Sequence, residues 1–185
     1  MRAICDYCGK EVDVLLYQAS ETYKVKDEAI TVKATLCKCS CCGEELWVSD
    51  INNENLRIAY NEYRKRHNLL MPSQIRSMRE KYGLSQVTFA KLLGFGEKTV
   101  ARYENGSIQD EAHNNLMLLI SDPRNLKMLY ERNKGTVPMM ERFQVNSFLK
   151  TNVQNTPYYV RNDVYRMSIP FSSIESDYEN SEEIA

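Results

Sequence analysis

Along the first third of the chain, apolar and polar positions alternate in twos. Val12 to Tyr17 reads as a strand, Thr22 to Lys26 alternates, and Asp27-Glu28-Ala29 turns. Ile30 to Leu36 then alternates back. One face would carry Tyr23, Val25, Ile30, Val32, Ala34 and Leu36, and the other threonines and lysines. This predicts a small antiparallel sheet. Glu44 to Val48 is expected to pair back onto it, with Trp47 in the small core. The period then lengthens to that of a helix. From Asn53 to His67, Leu56, Ala59, Tyr60 and Tyr63 form one stripe, ending in Arg64-Lys65-Arg66-His67. Those basic residues suit a helix C-terminus, and equally a phosphate contact.

Pro72 disfavours helix at the residue before it, so residues 68–72 read as a hinge between two domains. Five helices follow. The first runs from Gln74 to Tyr82, with Ile75, Met78 and Arg79 as candidates for one side and Gly83 as its stop. The second is capped by Ser85 and buries Phe89, Ala90, Leu92 and Leu93. A corner at Leu93-Gly94-Phe95-Gly96 leads into the third, from Glu97 to Glu104, which Asn105-Gly106 closes. Val100 and Tyr103 face inward there, and Lys98, Thr99 and Arg102 outward. The fourth, Glu111 to Ile120, turns Leu116, Leu119 and Ile120 to the core. The fifth opens on Asp122-Pro123 and carries Leu126, Leu129 and Tyr130. Met117, Met128 and Leu129 are candidates for a dimer seam. Helix, tight turn, then a second helix with an outward basic and hydroxyl face is the pattern of a DNA-reading helix-turn-helix.

The fold class is therefore α+β: a small antiparallel β domain with a trailing helix over residues 1–67, the hinge, an all-α five-helix helix-turn-helix domain over 73–133, and an extension over 134–185. In that extension Val137 to Met140 and Phe143 to Leu149 are candidates for a short helix. Tyr158 to Val160 and Val164 to Met167 read as locally extended, and the acidic end as disordered.

Six cysteines bear on the first domain. Cys5-Asp6-Tyr7-Cys8-Gly9 and Cys39-Ser40-Cys41-Cys42-Gly43 are two C-x2-C-G knuckles. Each points two thiolates at one place, and together Cys5, Cys8, Cys39 and Cys42 supply a closed tetrahedral zinc site. Four thiolates with no open position suit structure rather than catalysis. Cys37 and Cys41 are left over and read as ordinary small residues.

Net charge is −1, low for a DNA-binding protein. Five acidic side chains and no basic one lie between Ser172 and Ala185, so the remainder carries +4. No long apolar run or signal peptide is visible, which predicts a soluble cytoplasmic protein. There is no Ser-His-Asp or Cys-His arrangement, no phosphate loop and no open metal site. His67 and His113 have no catalytic company, so an enzyme is not expected.

Two resemblances sharpen this. L-S-Q-x-x-F-A-x-L-L-G followed by T-V-x-R-Y-E-N-G resembles the helix-turn-helix of the Cro/C1, or XRE, regulators. The knuckle pair, helix, hinge and this motif, in that order from Cys5 to Leu129, resemble the MqsA antitoxins with their YgiT-type zinc finger. That resemblance implies a zinc domain that engages a protein toxin. It also implies a helix-turn-helix domain that forms a homodimer and represses its own operon at palindromic double-stranded DNA. Lys98 and Arg102 would then face base edges. Thr99 or Ser85 would hold the backbone through hydroxyl contacts, and Gln86 would reach a phosphate. The alternative is a stand-alone zinc-containing regulator of a phage or mobile element.

Overall fold

The computed structural model describes residues 1–154, so the expectations for Tyr158 to Val160, Val164 to Met167 and the acidic end lie outside the described residues. Met1–Val153 form one compact unit. Three antiparallel strands come first: β1 (Arg2–Cys5), β2 (Lys10–Val25) and β3 (Glu28–Cys39), in the order β1-β2-β3. β1 pairs only with the start of β2, from Arg2↔Asp13 to Cys5↔Lys10. The rest of β2 pairs with β3, from Val14↔Cys39 to Val25↔Glu28. β2 is one strand of 16 residues, continuous through the polar stretch Gln18 to Glu21 that separates two strands in the sequence pattern.

Strand parity sorts the sheet into two small cores. Ile30, Val32 and Ala34 of β3 are buried on one face. Helix α1 (Ser49–Arg66) packs Ala59 against Val25, Ile30 and Val32, with Tyr23, Tyr60 and Tyr63 half-buried beside them. Three residues on from Ala34, Cys37 and Cys39 are buried instead, on the opposite parity. Cys39 shares a cluster with Cys5 and Val12. Asn55 of α1 fixes helix to sheet edge: its side chain accepts from Thr35 N at 2.9 Å and donates to Thr35 O at 2.8 Å.

Trp47 corrects the expectation from sequence. The return to the sheet is confined to Glu44 to Leu46: the bridge Lys38↔Glu45, with Cys39 N on Glu44 O and Leu46 N on Cys37 O, and the Tyr17 hydroxyl on Glu45. The indole lies past that pairing and is 81% exposed.

The second part contains α2 (Pro72–Lys81), α3 (Gln86–Leu92), α4 (Thr99–Glu104), α5 (Glu111–Leu119) and α6 (Pro123–Asn133). A short 3-10 turn, Lys134–Thr136, then leads to α7 (Met139–Gln154). Local chemistry sets the ends. Ser85 Oγ accepts from Thr88 N, Asp110 from His113 N, and Asp122 from Arg124 N. Gly83 closes α2 at a φ of +69°. The core includes Ile75, Tyr82, Phe89, Leu92, Val100, Met117, Ile120, Leu126 and Tyr130, and α7 adds Val145 and Leu149. α7 runs further than the short segment read from sequence and completes this core.

Two apolar assignments in α5 change. Met117 is fully buried rather than part of a seam, and Leu119 is exposed rather than core. The reason is polar. Buried Asn114 accepts from Leu70 N at 2.9 Å and from Gln109 at 3.3 Å, which turns the face holding Asn114 and Met117 inward. Of the remaining seam candidates, Met128 is exposed and Leu129 half-buried.

Residues 68–72 are tied in from both sides. Leu69 N donates to Arg64 O at 2.9 Å, and Leu70 O accepts from buried Gln109 at 2.6 Å. Arg64, read from sequence as part of an exposed basic end, is 1% exposed. Its guanidinium reaches the segment after α4, donating to Gly106 O at 2.6 Å and Ser107 O at 3.1 Å. The rest of that basic run is paired. Arg66 bonds Glu28 at 3.1 Å, His67 meets Glu28 at 2.7 Å, and Lys65 lies 3.8 Å from Glu62.

Candidate metal centre and nucleic-acid interface

Each knuckle is closed by its glycine. Gly9 N donates to Cys5 O at 2.8 Å and Gly43 N to Cys39 O at 3.0 Å, with φ of +63° and +77° at the two glycines. A side chain is disfavoured in that left-handed conformation. The turns aim backbone amides at sulfur: Cys8 N at Cys5 Sγ (3.4 Å), and Cys41 N and Cys42 N at Cys39 Sγ (3.3 and 3.5 Å). Sulfur atoms of Cys5, Cys8, Cys39 and Cys42 all lie within 4.8 Å of one another.

The spacing fits a metal. Four sulfurs at the usual Zn–S bond length define a tetrahedron with edges of about 3.8 Å. Cys5 and Cys42 are 3.7 Å apart, and Cys8 and Cys39 3.9 Å. Without a cation the four thiols share charge unevenly. Amide hydrogen bonds, foremost from Cys42 N, pull Cys39 down to about 6. Cys8 is pushed up, chiefly by its hydrogen bond with Cys42 and then by burial. A central dication would favour the thiolate at all four. The two spare cysteines divide: Cys37 is buried, which raises its thiol, and Cys41 is exposed.

The second feature lies on α4, which opens at Lys98 as its cap. Lys98 and Arg102, four residues apart, are both exposed with no ion-pair partner among the described residues. Thr99 is different. It begins α4 with its N–H on Gly96 O at 2.9 Å, and is only 7% exposed. The outward hydroxyl expected there is folded beneath Gly96, because the helix starts at Thr99 rather than Glu97.

The opposite face of α4 is fixed by Glu104, whose side chain is 0% exposed. It accepts from Arg79 Nε at 2.5 Å, Arg79 Nη2 at 3.0 Å, Arg76 Nε at 3.3 Å and Gln86 Nε2 at 2.7 Å. Burial alone would raise this carboxyl. The Arg79, Gln86 and Arg76 bonds outweigh it and hold the group below its ordinary value. Gln86, expected to reach outward, is thus spent inside, joining α3 to α4. Ser85 is exposed, and its hydroxyl is engaged with Thr88 at 2.9 Å. Sequence reasoning placed Arg79 on the inward side of α2 but missed its partner Glu104. A glutamate in the buried phase of α4, beside Tyr103, was the available signal.

Residues 2–131 match the family model described as the antitoxin component of a bacterial toxin-antitoxin system, MqsA. The chain belongs to the MqsA antitoxin family. No curated protein matches it. The matched range holds the cysteine cluster and the helix-turn-helix but ends within α6, so α7 of this antitoxin lies outside it. Among the described residues no helix is long and apolar enough to cross a membrane.

Proposed function

We propose that this antitoxin binds a protein toxin through its cysteine-bearing lobe and represses its own operon as a homodimer on palindromic DNA. The observation that carries the DNA reading is the pairing of Lys98 and Arg102 on the outer face of α4, unpartnered, while Glu104 anchors the inner face. Arg102 can donate two hydrogen bonds to guanine O6 and N7 in the major groove. Lys98, one turn earlier, is within reach of a second base or a phosphate. Ser85, exposed at the start of α3, serves backbone contact, as helix-turn-helix proteins cross the phosphates with their first motif helix. Thr99 contributes by fixing the start of α4 rather than through a free hydroxyl. One module offers little surface, so two copies read half-sites about one turn of DNA apart. Exposed Leu118, Leu119 and Met128 offer apolar surface for that pairing.

The metal is zinc, held by Cys5, Cys8, Cys39 and Cys42. Its role is structural: it ties β1 and the ends of β2 and β3 into a lobe whose core is too small to hold alone. Toxin recognition is assigned to this lobe because β2 leaves Leu15 to Val25 paired on one side only, with Leu15 and Leu16 exposed. An open strand edge with apolar side chains beside it suits an incoming strand.

Arg102→Ala tests the DNA half. The variant should lose discrimination between the upstream operator and random DNA, and retention of full discrimination refutes α4 as the reader. Co-expression with the adjacent gene product tests the other half. A stable complex with a growth-arresting neighbour supports the antitoxin pairing, and a harmless neighbour that does not bind refutes it.

A further inference from the structure

α7 lies beyond the family match, and its first turn is placed on the entrance to the helix-turn-helix. The carboxylate of Glu141 accepts from Ser85 N at 3.1 Å and from the Thr88 hydroxyl at 3.1 Å. Val145 and Leu149 anchor the rest of α7 in the core, and the Phe148 ring packs tilted against Tyr82 with centroids 5.0 Å apart. Gln144 fills the space where a side chain at Gly83 would stand. α7 therefore covers the α2–α3 corner, and at its edge it sets a negative charge on Ser85.

We propose that α7 is an intramolecular brake on operator binding, with Glu141 holding the position on Ser85 and Thr88 that a DNA phosphate oxygen would approach. This rests on the helix-turn-helix reading above. A phosphate nearing Ser85 meets a carboxylate that already takes its amide and is itself anionic. DNA must displace Glu141 or bind against its charge. Displacement asks only that the Glu141 side chain swing outward, since buried Val137 and Val145 hold the backbone on either side of this turn. Met139, Met140 and Phe143 are all strongly exposed, Phe143 at 78%, and among the described residues the other side-chain bond in this turn is Arg142 Nε to Val137 O at 2.7 Å. Within α7 the first buried residue is Val145, one turn further on.

The test is operator affinity of the full chain carrying Glu141→Gln or Glu141→Ala, measured by fluorescence anisotropy over a salt series. Glu111→Gln serves as a control for net charge, since Glu111 is exposed on α5. Removing one unit of repulsion at about 4 Å in water should tighten binding about fivefold at low salt. The gain should shrink as salt rises. Binding equal to or weaker than the parent with unchanged melting, or an equal gain from Glu111→Gln, overturns the brake and leaves the DNA reading standing. Failure of the parent chain to distinguish operator from random DNA overturns both.

Discussion

Glu104→Gln is the sharpest test of how α4 is held. The substitution keeps the volume and removes the charge from a side chain with no exposed surface. It leaves one acceptor oxygen where four donors now converge, and turns an NH2 toward guanidinium. Breaking a buried pair from one side costs about 3–5 kcal/mol. Arg76 is half-exposed and can return to water, whereas the Arg79 side chain is 12% exposed and cannot. The loss is thus set by Arg79, and about 3 kcal/mol is expected. For a chain of 185 residues this lowers Tm by about 6–12 °C. Urea unfolding at neutral pH gives the value directly, and a cycle with Arg79→Gln gives the coupling. The pH dependence has a definite sign. The folded-state value of Glu104 is depressed, so its contribution is complete above the unfolded value of about 4.5 and is lost as pH falls through the lower folded value. The gap between parent and variant should be constant from pH 7 to 5 and close below 4.5. A loss under about 1 kcal/mol, or a gap that persists at low pH, refutes the reasoning.

Two further predictions test the first lobe and its link to α4. Cys39→Ser, or a strong chelator, should release one metal ion per chain by native mass spectrometry and reduce β-structure while helical circular dichroism survives. Coordinated loss of both signals would show that the helical part depends on the metal as well. Arg64→Met should split one calorimetric transition into two, because it removes bonds to Gly106 O and Ser107 O that join α1 to the end of α4. A single transition at the parent temperature would mean that Gln109, Asn114 and Leu70 carry the junction alone.

Local patterns were legible in the sequence and long-range polar pairings were not. Ser85, Gly83, Gly94 and Asp122-Pro123 announce helix ends by chemistry confined to a few neighbours, and the helix-turn-helix follows from them. The two knuckles likewise carry their glycine, their spacing and their ligands within five residues each. Trp47 failed because apolar character does not say whether a second layer exists to cover it. Met117 and Leu119 exchanged places because Asn114 takes its inward direction from Leu70, 44 positions away. Arg64 followed the same rule: a run of basic residues reads as solvated unless distant carbonyls reach it. β2 continues through Gln18 to Glu21 because β3 supplies the ladder that propensity lacks there. Glu141 could not have been placed on Ser85 from sequence, since nothing local links residues 56 apart.

These long-range pairings also explain how a chain of net charge −1 presents a cationic face on α4. Composition counts charges, while the fold decides which of them meet solvent unopposed. Glu104 is buried against arginines of α2, and Glu28 and Glu62 consume the basic end of α1. Glu97 is held 2.8 Å from Lys91 rather than beside Arg102. Among the described residues Lys98 and Arg102 are left at α4 without an acidic ion-pair partner, which makes that face locally positive although the total is not. Glu141 is then the informative exception, because it is the acidic group set directly on the α2–α3 corner. If the charge sorting matters for DNA, the affinity of this face should respond to Glu141 and stay indifferent to Glu111.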